Sequence, residues 1–408
     1  MSNSALVPIP KASLNGGLLF LLVGLAALGS LATNIVLPAF TQMGASLRAS
    51  ERELALTLSS FFLVFAFGQL FVGPLSDRFG RKSLVLIGLG TFVAGSFVST
   101  SADTLEFMIA GRVLQALGAC ATSVLSRAIA RDLFDGESLG KTLALIMMAM
   151  AAAPGFSPLV GTALATYLGW RFIFVFVGLF AIVLAVHYWR GLEETHPAER
   201  RTSLTPFGVA SIYRDLILDR RFILPALSVS LVLGGLYTFF ATAPSIFAHE
   251  LDLTGFQLAV FFAATVIIPF AAGYLAPLMA HRWGQPAIAM AGLVSTVVGS
   301  LSMLAFAGLP ELSTITISLV LFLFGMGLVN PLGTAISLHP FGEHAGSASA
   351  LLGFLQMGCA AVGSALGSVL PVTPTMALAA ILTSGSMLAL LAFVPVFLNQ
   401  PRTKALVP

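Results

Sequence analysis

Charge is what this chain has least of. Asp, Glu, Lys and Arg together make up 9% of its 408 residues, where soluble domains carry roughly a quarter. That is too little to cover a water-facing surface, which excludes an ordinary soluble globular protein. Cysteine is also scarce: Cys120 and Cys359 are the only two. Both fall inside apolar runs, leaving neither a disulfide framework nor a zinc-ligand spacing. The histidines, His187, His196, His249, His281, His339 and His344, are scattered, so no metal or other cofactor is expected. Zincin, dinucleotide-binding and P-loop patterns are missing, and no nucleophile-elbow site is expected, which argues against an enzyme. Without a ring of charges or a filter-like repeat, a channel is equally poorly supported.

What the chain has instead is apolar length. It is 57% hydrophobic with a mean hydropathy of +0.97, and runs near twenty residues recur, each able to cross about 30 Å of hydrocarbon. The short alternating segments of a β-barrel do not occur. Twelve helices are expected, over 14–40, 52–74, 83–101, 104–131, 138–166, 169–190, 221–247, 254–280, 285–307, 312–334, 344–370 and 373–397. The first is read as a retained span, since no small-residue cleavage site follows it. Residues 191–220 form the long polar stretch, a linker with room for one amphipathic surface helix. The chain thus divides into a six-helix half at 1–190, the linker at 191–220 and a second six-helix half at 221–408.

The net charge of +3 does not point to nucleic acid, because the basic residues sit in short loops between spans. With the N-terminus inside, sixteen of the twenty Lys and Arg fall on the cytoplasmic side. Only Arg48, Arg52 and Arg171 fall outside, and Arg112 is left within the membrane. By the positive-inside rule both termini and the linker are cytoplasmic. The halves also match weakly at an offset of 204–206 residues: Pro38 with Pro244, Arg78 with Arg282, Gly80 with Gly284, Gly140 with Gly346 and Gly161 with Gly367. Duplicated six-helix units are typical of transporters, which bind substrate between the halves near mid-membrane.

"GPLSDRFGRK", Gly73 to Lys82, concentrates charge between the second and third spans. Gly73 is expected to let two helices approach, Pro74 to restrict the helical turn it starts, and Gly80 to permit a tight reversal. Asp77 can cap the next helix or pair with Arg78 or Arg81, giving a latch between halves that breaks and re-forms. Positive-inside anchoring by Arg81 and Lys82 is the plainer account, but it needs neither glycine nor Asp77.

This stretch resembles the loop signature of the major facilitator superfamily. "FGQLFVGPLSDRFGRK", "GRVLQALGAC", "RAIARDLFDGE", "GWRFIF" and "GSASALLGFLQMG" narrow the resemblance to drug:proton antiporters of twelve spans, the Bcr/CflA group. The resemblance implies an inner-membrane exporter of drugs or small metabolites, working by alternating access with proton antiport, usually as a monomer.

Arg112 lies about a third of the way into the fourth helix, where an Arg is costly and normally faces the bundle interior. Gln115 follows one turn later on the same face. In the family the matching Arg lines the cavity and takes part in proton coupling; an Arg satisfied by backbone carbonyls as helix glue is the competing reading. Pro154, Gly155 and Pro158 make the fifth helix pliable, and the resemblance gives them a conformational role, as it does for the Asp132 region. Ser30, Asn34, Met148, Met150, Tyr237, Phe240, Phe262, Asn330 and Gln356 complete the expected substrate-binding set. Any single aromatic or Met among them is more readily packing or lipid-facing than binding.

Bcr/CflA proteins carry an Asp before the "xxxP" that ends the first helix; here that position is Asn34. An amide cannot exchange a proton near neutral pH, and all seventeen Asp and Glu fall toward the ends of the spans or in the linker. Three explanations stay open: coupling through Asp77, Asp132 or His187; an uncoupled facilitator or importer of one specific neutral or anionic molecule; or a neutral replacement that mimics a protonated Asp. With Arg112 unpaired, the cavity favours neutral, zwitterionic or anionic substrates over lipophilic cations.

Overall fold

The computed structural model describes residues 15–196, 206–251, 253–308 and 311–398. The termini and part of the linker, 197–205, lie outside the described residues. The spanning helices are α1 Gly16–Asn34 with its continuation α2 Phe40–Leu47, then α3 Glu51–Phe79, α4 Arg81–Thr100, α5 Leu105–Leu133, α6 Gly136–Leu168 and α7 Arg171–Gly191. A linker helix, α8 Pro206–Leu218, leads to α9 Arg220–Ser245, α10 Gly255–Trp283, α11 Gln285–Phe306, α12 Leu312–Leu338, α13 Ala345–Val369 and α14 Pro374–Leu398. Eleven of these spans are straight enough and apolar enough to cross a membrane, and α6, bent by 41° between Lys141–Met148 and Ala153–Leu168, makes twelve. The chain is an all-α polytopic membrane protein.

The two six-helix sets repeat each other in local detail. α3 begins in a capping box built by Ser50 and Glu53, and α10 in one built by Thr254 and Gln257. In each, the hydroxyl and the N3 side chain satisfy backbone N–H groups that the first turn leaves free. Both helices are 29 residues long and stop at a glycine with positive φ, Gly80 at 90° and Gly284 at 85°, a conformation open to glycine at little cost. Caps and stops therefore share an offset of 204. The crossings that follow repeat too. A Cβ on Gly95 would lie 2.5 Å from Gln115 N and 2.6 Å from Gly111 O; on Gly299 it would lie 2.6 Å from both Phe322 N and Ser318 O. Small residues at these points let backbones touch, which drives helix association in lipid.

Several element ends differ from expectation. The first span breaks after Asn34 into a short 3-10 turn, Leu37–Ala39, because Pro38 cannot donate to the Asn34 carbonyl. α3 runs to Phe79, five residues past Pro74, so Pro74 lies inside a helix and does not start one. It leaves the Leu70 carbonyl without its helical donor, and the Tyr213 hydroxyl of α8 donates there at 3.0 Å. Burial pushes the Tyr213 hydroxyl up to about 12, so it remains a donor at neutral pH. Beside it Leu216, Phe222, Ala348, Leu351 and Leu352 form a separate apolar cluster. The linker helix is thereby pinned to α3, α9 and α13.

α3 meets α13 along its length. At one end Arg52 Nη2 donates to Val372 O at 2.6 Å, and the Ser59 and Ser364 hydroxyls lie 2.7 Å apart. Toward the other end Gln69 fills the space over Gly353, and Phe67 meets Phe354 edge-on at 5.3 Å. α6 and α10 make the second seam, with Gly155 against Val266.

Candidate functional site

Arg112 is 1% exposed at the centre of the first helix set. Its Nη1 donates to Ala32 O at 3.0 Å and to Gln115 Oε1 at 2.8 Å. Gln115 Nε2 in turn donates to Ser96 Oγ at 2.9 Å, and Ser96 Oγ to Phe92 O at 2.9 Å. The guanidinium carbon sits 4.7 Å from the centre of the Phe61 ring, a cation–π contact of about 2 kcal/mol when desolvated. Nε and Nη2 are buried with no hydrogen-bond partner.

The end of α1 adjoins this group. Asn34, also 1% exposed, donates through Nδ2 to Ser30 O at 2.8 Å and to Thr33 Oγ1 at 3.2 Å. Ser30 Oγ reaches Met150 O on α6 at 3.5 Å, the carbonyl that Pro154 four residues on cannot serve. Gly161 lies directly against the Ile35 carbonyl, so α6 embraces the break in the first span.

From Arg112 a run of rings crosses to the second helix set. Phe61 lies 6.3 Å from Phe62, Phe62 4.8 Å from Tyr237, Tyr237 6.4 Å from Phe240, and Phe240 5.4 Å from Phe262. The chain of contacts leads from α5 through α3 to α9 and α10, joining the charged centre of one set to the aromatic core of the other.

A family model described as the Major Facilitator Superfamily matches residues 19–364. The chain belongs to the major facilitator superfamily. It is 28% identical over 390 residues to Multidrug resistance protein D of Escherichia coli (strain K12), covering 94% of this chain and 97% of that protein. It is 29% identical over 359 residues to a Chloramphenicol resistance protein of Pseudomonas aeruginosa, covering 84% of this chain and 82% of that one. The crystal structure of the human organic anion transporter MFSD10 (TETRAN) superposes with a TM-score of 0.70 at 19% identity, over 92% of this chain and 97% of that chain. The superfamily is one of transporters, and this is a multi-pass membrane transporter with small-molecule cargo.

In this transporter the expected binding residues are brought together unevenly. Arg112, Gln115, Tyr237, Phe240 and Phe262 form the connected group above, and Ser30 and Asn34 lie on the α1 turn whose Ala32 carbonyl accepts from Arg112. Met150 joins it through its carbonyl, whereas Met148 is 48% exposed on α6. Asn330 on α12 and Gln356 on α13 are half-buried and carry no hydrogen bond among the described residues. Phe61, Phe62 and Gln69 were not expected: nothing but the Phe-Phe doublet marks the first two, because an aromatic in an apolar helix looks the same facing lipid or cavity.

The charged connection holds the expected Asp77–Arg81 pair but does not join the halves. Arg81 pairs with Asp77 at 2.6 Å and Asp132 at 3.2 Å, and bonds the Ser76 hydroxyl. Glu194, just past α7, accepts from Arg81 N at 2.8 Å and Lys82 N at 3.2 Å, capping α4 in place of Asp77. Thr195 adds a bond to Asp132 at 3.1 Å. These partners all belong to the first six spans and the start of the linker, so the cluster fastens one set internally. Arg78 stacks on Phe79 at 5.3 Å. Open space faces Gly73, so it mediates no close approach. His187 Nε2 lies 3.1 Å from Gly17 O at the exposed edge of α7, away from the Arg112 group.

GxSxG does occur, as Gly136-Glu-Ser-Leu-Gly140, but it opens α6. A nucleophile elbow requires a strand-to-helix turn, and no strand occurs among the described residues.

Proposed function

We propose that this transporter is an inner-membrane exporter of drugs or small metabolites. It works as a monomer by rocking 1–190 against 221–408 around the Arg112 group, with 191–220 and both termini cytoplasmic. The observation that carries the reading is the run of rings from Arg112 to Phe262: one polar centre and one aromatic wall, contributed by opposite helix sets, as a mid-membrane site of alternating access requires. The names of the relatives, multidrug and chloramphenicol resistance, support drugs as cargo. Asp77, Arg78, Gly80, Arg81 and Asp132 set the conformation of the cytoplasmic end, while Pro154, Gly155 and Pro158 let α6 flex against α10.

Proton antiport follows from the Bcr/CflA resemblance, and Arg112 supports it. Asn34 favours a second reading, an uncoupled facilitator or importer of one specific neutral or anionic molecule, because its amide does not ionise near neutral pH. Expression in an efflux-deficient bacterium against an antibiotic panel separates them. The exporter raises the inhibitory concentration of at least one compound fourfold or more, as an order-of-magnitude expectation for an active pump against passive re-entry, and lowers its accumulation. Unchanged or increased accumulation across the panel sinks the exporter.

A further inference from the structure

We propose that the cargo carries an anionic oxygen pair, a carboxylate or similar oxyanion, and that Arg112 holds it through Nε and Nη2. The proposal rests on the reading of the chain as a transporter and names the chemistry its central site takes.

The guanidinium presents its donors in a rigid plane and stays protonated. One side is occupied: Nη1 serves Ala32 O and Gln115 Oε1. Gln115 cannot turn away, because its own Nε2 is bonded to Ser96 Oγ. The other side, Nε with Nη2, is buried and without a partner. That edge carries two parallel N–H groups at the spacing of two carboxylate oxygens, the geometry of bidentate recognition. A cation so enclosed is strongly unfavourable without a counter-charge. Among the described residues no carboxylate pairs with Arg112, and Asn34 on α1 directs its amide N–H groups to Ser30 O and Thr33 Oγ1. The counter-charge therefore arrives with the cargo. Phe61, Phe62, Tyr237 and Phe240 beyond the guanidinium are uncharged rings packed against one another inside the protein, partners for an aromatic body attached to the anionic group when the site opens.

The test uses the full chain purified in detergent, with thermal melting as readout. Probes are 1-naphthoate, indole-3-acetate and salicylate, each beside its primary amide, with sodium chloride and sodium nitrate as inorganic arms. At least one carboxylate should raise the melting temperature by about 4 °C at saturation, and its amide should not. Arg112→Gln should abolish that shift and Arg112→Lys keep less than half, since an ammonium lacks the fork. Asn34→Asp should abolish it too, by putting a carboxylate on the α1 turn whose Ala32 carbonyl already accepts from Arg112; this variant keeps the test valid should the Arg112 changes unfold the protein. The proposal is overturned by amides that shift as much as carboxylates, by no carboxylate shifting at all, by a shift that survives both Arg112→Gln and Asn34→Asp, or by chloride or nitrate alone giving the full effect. Because binding is read in detergent, its failure is distinct from a failed efflux assay.

Discussion

Arg112→Gln should abolish transport while leaving the protein folded. Glutamine can keep one bond, to Ala32 O or Gln115, the two acceptors that Arg112 Nη1 now uses. It loses the charge, the stack on Phe61 and the Nε–Nη2 edge. Losing a buried charged hydrogen-bonding partner costs binding about 2–5 kcal/mol, so uptake into inverted vesicles should fall by a factor of about 30 or more. Stability should move the other way. An unpaired buried cation is a burden on the fold, so the melting temperature should hold or rise. This opposition separates a transport role from helix glue. Were Arg112 only glue for α1 and α5, the variant would melt lower and its surviving molecules would transport normally. Melting curves and vesicle uptake on the same preparation decide between the two.

The second large effect is expected at the helix crossings. A Cβ on Gly118 would overlap the Gly88 carbonyl and lie 2.6 Å from Phe92 N; one on Gly325 would overlap the Gly292 carbonyl and lie 2.8 Å from Thr296 N. The obstructing atoms are backbone, so no rotamer change relieves the contact, and whole helices must separate. Overpacking costs about 1–3 kcal/mol even where side chains can yield, and here they cannot. Gly118→Val and Gly325→Val should each remove the monodisperse peak in size-exclusion chromatography or lower melting by about 10 °C. The two effects should be alike, since the positions are repeats of one another. Wild-type melting in either variant contradicts close backbone packing there. Gly73→Ala is the matched control: with open space around Gly73, it should melt like the parent.

The architecture was legible because lipid leaves few options. Twelve apolar runs without strand alternation can only be helices, and Gly80 and Gly284 mark the matching stops in both sets. Legibility failed where a backbone group is satisfied from afar. Pro74 reads as a helix start, yet α3 continues through it because Tyr213, 139 positions later in sequence, serves the freed Leu70 carbonyl. Asp77 reads either as the cap of α4 or as a partner of Arg78 or Arg81; it pairs with Arg81, and Glu194 takes the cap because the chain returns there after α7. Within the site, Arg112, Gln115 and Asn34 stood out as polar residues in an apolar field. Phe61 and Phe62 did not, since their importance comes from lying between Arg112 and Tyr237. Asn330 and Gln356 stood out equally in sequence and remain apart from the connected group.

Transport is proposed to run as proton antiport around the Arg112 group, with an amide at position 34 where the Bcr/CflA resemblance has a carboxylate. The most direct measurement is substrate-driven proton movement in proteoliposomes, followed with a pH-sensitive dye, for the parent chain and for Asn34→Asp, using a compound found in the resistance panel. Proton antiport predicts substrate-driven proton movement in the parent, carried by groups other than Asn34, with Asp77, Asp132 and His187 the first to change. Substrate transport without proton movement in the parent, with coupling appearing only in Asn34→Asp, would contradict it and favour the uncoupled facilitator.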